Sequence, residues 1–127
     1  MIDIPALQRA TIFGSALQIA MVVAGHYSPW IAQHVFMLGG MAISTRAGLH
    51  YARQVARGYG PGALGGAIAG GACAAIGIAL SVALGDTAPL VLALGTAASC
   101  VTGALGGVAG AALRKTRPAE QTPPPLL

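Results

Sequence analysis

A chain of 127 residues that is 55% hydrophobic and only 8% charged, with a mean hydropathy of +0.72, has too few charges to cover a soluble surface. It leaves no room for a catalytic domain outside a bilayer, so no enzyme is expected. Alternating polar and apolar segments of the β-barrel kind are missing, and nineteen glycines suit helices in lipid better than helices in water. The expectation is an all-α membrane protein, a bundle of four transmembrane helices arranged as two hairpins over residues 1–117, followed by a disordered Pro-rich tail over 118–127.

The opening residues place the acid Asp3 where a cleavable signal would carry basic charge, so the first apolar segment reads as a retained helix over about 7–25. Arg9 lies near enough to its start to reach the headgroups. His26-Tyr27-Ser28-Pro29-Trp30 interrupts the pattern, with Ser28 suited to an N-cap, Pro29 to the first helical position, and the two aromatics to a membrane interface. A second helix is expected over 29–45, with a cytoplasmic extension to 57. Along that extension Arg46, His50, Arg53 and Arg57 recur at spacings of four, three and four, which form one narrow face suited to anionic lipid headgroups. Gly58-Tyr59-Gly60 ends it, and Pro61 opens a third helix over 61–84. Gly85-Asp86-Thr87 makes a turn, with Asp86 or Thr87 as the cap of a fourth helix over 88–113.

Small residues four apart lie above one another on a helix face and allow two backbones to approach closely, a packing that compensates for the weak hydrophobic drive between helices in lipid. Gly62, Gly66 and Gly70 form such a ladder in the third segment, and Gly95, Ser99, Gly103 and Gly107 form one in the fourth. Shorter ladders run through Gly40, Ser44, Gly48 and through Ala16, Ala20, Ala24. The last hairpin resembles glycine-zipper segments, a pattern of many unrelated proteins that transfers no activity. The ladders can pack the third helix on the fourth, join subunits, or line a pore.

All seven Lys and Arg fall in the N-terminus, the middle loop or the C-terminal tail, while the turns around Pro29 and Asp86 carry none. By the positive-inside rule both termini and the middle loop are expected in the cytoplasm. The preference for Arg over Lys, with the Gly and Ala content, suggests the inner membrane of a bacterium and a multi-pass protein there.

Polar residues within apolar spans are the usual pointer to function, and here they are Gln18, His26, Gln33 and His34. The acids Asp3, Asp86 and Glu120 all lie outside the expected spans, which argues against a proton- or sodium-coupled transporter. Met21, Met37 and Met41 stand near the histidines, but no histidine pair has a metal-binding spacing within one helix, so neither metal nor cofactor is expected. Cys73 and Cys100 fall at matching depths of antiparallel helices and read as small apolar filler. The positive charge is used in orientation and no aromatic-bearing soluble surface exists, so nucleic acid is not an expected partner. The leading expectation is a small structural or accessory subunit that acts through helix packing, in contact with the bilayer and either a homo-oligomer or part of a larger membrane complex. An oligomeric channel or small-solute permease is the alternative. A haem- or copper-binding redox subunit using His26 and His34 is a second one.

Overall fold

Five helices make up the computed structural model, which describes residues 2–55 and 57–116, and no strand occurs among them. They are α1 (Ile4–Tyr27), α2 (Pro29–His34), α3 (Phe36–Gln54), α4 (Tyr59–Ala83) and α5 (Pro89–Thr116). The proposed tail over 118–127 lies outside the described residues.

Local chemistry sets the helix ends. Asp3 caps α1 by accepting from the Ala6 N–H at 2.9 Å, and Pro5 occupies its first turn, where a missing N–H costs nothing. Ser28 takes the extended N-cap conformation ahead of α2 without a side-chain cap bond. α4 closes in a Schellman turn: Gly85, at φ +80°, donates to Val82 O, and Asp86 donates to Ser81 O. At the other end of α4, Gly58 is the N-cap with φ +86°, a positive φ that glycine adopts without a Cβ clash.

The expected count of four membrane-spanning helices is corrected to three. Among the described residues, three helices, α1, α4 and α5, are long and apolar enough to cross a membrane. The second segment divides at Val35 into a six-residue α2 and a nineteen-residue α3, and α3 includes Arg46 and Arg53 within its length. The division is local, since Val35 donates to Ile31 O and Gly39 donates to Val35 O, so α2 and α3 follow one helical track. The segment after residue 45 is part of the bundle. α3 ends at Gln54, with Arg57 beyond it, and its second half is packed inside: Ala47, Tyr51 and Ala52 are fully buried.

Neighbouring tracks run in opposite directions. Asp3 N–H donates to the Tyr51 hydroxyl at 3.2 Å, Arg9 to Gln54 at 3.0 Å, and Gln18 to Gly40 O at 3.3 Å, so α1 and α2–α3 are antiparallel. Gly62, Gly66 and Gly70 meet Gly107, Gly103 and Ser99 in turn, so α4 and α5 are antiparallel as well. The result is an up-down-up-down bundle. One end gathers Arg9, Arg53, Arg114 and Lys115; the other holds His26, Tyr27, Trp30 and Asp86 and, among the described residues, neither Lys nor Arg.

Candidate functional site

Glycines bring α3, α4 and α5 into backbone contact over the half of the bundle nearer the basic end. A Cβ at Gly70 would stand 2.8 Å from both the Gly103 Cα and the Ser99 carbonyl. One at Gly66 would stand 3.0 Å from the Gly107 Cα and would collide with the Gly103 carbonyl. Gly62 and Gly107 meet in the same way, and Gly48 of α3 wedges between Gly103 and Gly107. Thus Gly62, Gly66, Gly70, Ser99, Gly103 and Gly107 face one another within a single chain. Gly95 differs: a Cβ there would meet side chains and no backbone, most closely the Ile78 Cδ1 at 2.6 Å, the far end of a flexible side chain. The ladder of α5 therefore leaves close contact one turn before Ser99.

Sequence reasoning missed the second glycine face of α5. Gly106 lies on the Thr45 carbonyl and Gly110 on Leu49 O, where a Cβ would come within 2.8 Å, and together they seat α3 on α5. Their spacing of four was the available signal. Buried Tyr51 was also missed; its ring lies against Gly65, which has no side chain to displace it.

Toward the His26 end the tracks diverge around a cavity of about 650 Å³ between α1, the α2–α3 track, α4 and α5. Gln18 and Gln33 both border it, as do Met21, Met37, Met41 and Phe36. Gln18 is 2% exposed and lies between Gly40 and Gly77, whereas Gln33 is exposed. His26 and His34 keep separate partners: Nδ1 of His26 donates to Asp86 Oδ2 at 2.9 Å, and Nδ1 of His34 donates to the Trp30 carbonyl at 2.9 Å while its ring stacks on the indole. The Asp86 carboxylate thus ties the α4–α5 turn to the end of α1 and borders the cavity at its rim. Among the described residues no group of three or more His, Cys, Asp or Glu comes together as a metal ion would require.

The two cysteines are free and have different surroundings. Cys73 donates to Gly70 O at 3.2 Å and packs on Gly14 of α1, while Cys100 sits against Gly71.

Arg46, His50 and Arg53 occupy the outer side of α3, with both arginines exposed and the imidazole stacked on Phe13 at 5.2 Å between ring centroids. Arg57, exposed, lies past the end of the helix. Arg53 lends its carbonyl to Arg114 at 2.7 Å, which joins the ends of α3 and α5. Arg46 is the unusual member. Its neighbour Thr45 contacts Gly106, so Arg46 stands level with the glycine layer, about 15 Å of helix away from the end of α5. No family model, no curated protein and no solved structure matches this chain.

Proposed function

We propose that this chain is a multi-pass integral membrane protein with its basic end in the cytoplasm, and that it serves without catalysis as an accessory subunit docked through the outer side of α3. The observation that carries this reading is exposed Arg46, level with buried glycines and with exposed Leu105 and Val108 on α5. A helix that faced lipid all round would place that guanidinium in hydrocarbon, at a cost of about 2.5–3.5 kcal/mol on insertion scales if it lay near the centre. A carboxylate-bearing helix of another protein would neutralise it. The glycine ladders do not serve this purpose, because their partners lie within the chain. Anionic headgroups remain the partners of Arg53 and Arg57 nearer the end.

A photo-crosslinking residue in place of Arg46, introduced in native membranes, tests the docking. A discrete protein adduct that is lost when the crosslinker is moved to Leu105 supports the reading; adducts to lipid alone reject it. Orientation has its own test. Reporter fusions at Gly60 should read cytoplasmic and at Asp86 external, and the reverse pattern rejects the assignment.

A second reading, a small-solute permease, is favoured by the cavity and by Gln18 and Gln33 on its wall. Flux of uncharged solutes into proteoliposomes tests it.

A further inference from the structure

The cavity at the His26 end fills one half of the bundle and stops. Gly40 and Ala74 border it, and one helical turn further on Gly70 meets Gly103 and the Ser44 carbonyl, backbone against backbone. Gly70 and Gly103 stand within one residue of the middle of α4 and of α5, so the floor lies at mid-height. Along α5 the cavity is bordered from Val91 to Ser99, about 12 Å of helix. One leaflet contributes about 15 Å of a hydrocarbon core about 30 Å thick. The recess is thus close to one leaflet deep.

It also reaches the side of the bundle. Met37 of α3 and Leu94 of α5 both border it and are 72% and 62% exposed, so its mouth runs between those two helices. Met21, Met41, Phe36 and Ile78 make the wall behind them largely apolar. Two polar side chains on that wall are engaged within the chain, Gln18 with Gly40 O and Ser81 with Thr87. Apolar groups that face a void forfeit their dispersion contacts, so an occupant is favoured. A partner's transmembrane helix is a poor one. With side chains a helix is about 10–12 Å across, so a length of about 12 Å fills about 900–1,400 Å³. The recess holds about 650 Å³, and its floor would block such a helix halfway across the bilayer. A flexible hydrocarbon chain has neither difficulty. At the rim stands the Asp86 carboxylate, and this end carries neither Lys nor Arg among the described residues, so an anionic headgroup is disfavoured there.

We propose that this recess is a phospholipid site: one acyl chain from the leaflet at the His26 end enters between α3 and α5 and ends against the Gly70–Gly103 layer, and Asp86 selects a zwitterionic, amine-bearing headgroup over an anionic one. The site rests on the membrane-spanning part of the reading above and on neither the orientation nor the docking of α3.

The test uses the full chain in nanodiscs of equal parts phosphatidylethanolamine and phosphatidylglycerol, doped with either lipid carrying a diazirine on one acyl chain. Irradiation expels dinitrogen and leaves a carbene, which inserts into nearby C–H bonds. A diazirine at the chain end should mark Met41 and Ala74 near the floor, and one close to the ester should mark Ala88 and Val91 near the rim. Relative to adducts on outward-facing Val101 and Leu105, the floor adducts should favour phosphatidylethanolamine roughly fivefold, the worth of one charge near a membrane surface. Asp86→Asn should erase that preference and keep the floor adducts, while Ala98→Trp, which fills the recess from α5, should remove them. Labelling of Val101 and Leu105 without any at the floor overturns the site and leaves the membrane reading intact; loss of labelling at all of these positions overturns the membrane reading itself. Equal preference for the two headgroups on the wild-type chain, or floor adducts formed as readily from the ester-side probe, overturns the proposal too. The wild-type measurements decide even where a variant fails to fold.

Discussion

The two halves of this bundle use similar residues to opposite effect. Near the basic end, glycines on α3, α4 and α5 face one another at matching depths, and the backbones close until no side chain fits between them. Near the His26 end, glycines face long side chains instead: Gly95 faces Ile78, Gly77 faces Gln18, and Gly25 faces the Phe36 ring. There the helices stand apart and leave a cavity. A glycine lets a helix approach only as far as its neighbour allows. Close packing of helices in lipid is therefore a property of facing pairs, and a ladder on one helix is half of the requirement.

The largest expected effect breaks the packed half. Gly103→Leu places a branched side chain against the Gly66 carbonyl and the Gly70 Cα, and overpacking of this kind costs about 3 kcal/mol or more. Membrane insertion should survive, since leucine is at least as apolar, while thermal unfolding in detergent should occur at markedly lower temperature. Gly95→Leu measured alongside it should cost clearly less, because Ile78 can turn aside; equal losses at the two positions would erase the distinction between the halves.

Tyr51→Phe should cost about 1 kcal/mol. It keeps the ring on Gly65 and removes the hydroxyl that accepts from Asp3 N–H. Amide exchange at the start of α1 should rise in step, which would locate the loss at that end. His26→Ala removes the hydrogen bond with Asp86 and should lower stability by less than about 1 kcal/mol, as expected for a partly exposed polar pair. Its readout is the cavity half: exchange at the α4–α5 turn should increase while the glycine layer is unmoved. Val101→Leu, on the outer side of α5, should change the unfolding temperature by nothing measurable. A large loss there would show that this side of α5 is packed against another molecule.

Composition and the long apolar runs without alternation pointed to helices suited to a membrane, because 55% hydrophobic residues and 8% charge are far from the balance of a soluble surface. Spacing determined the faces of α4 and α5, since a helix repeats its surface every three to four residues whatever surrounds it. The clustering of Lys and Arg at one end was legible for the same reason: charge per segment needs no tertiary information. What remained for the tertiary structure was every relation between segments. That Gly103 is shared by Gly66, Gly70 and Gly48 while Gly95 faces the Ile78 side chain depends on the register of three helices. That the second half of α3 packs against its neighbours depends on Tyr51 finding Gly65 and on Gly106 and Gly110 seating Thr45 and Leu49. The cavity beside Gln18 belongs to no single helix; it is the space left where four tracks stop meeting at matching depths. A one-dimensional pattern specifies which face a helix can offer, and contact depends on what stands opposite.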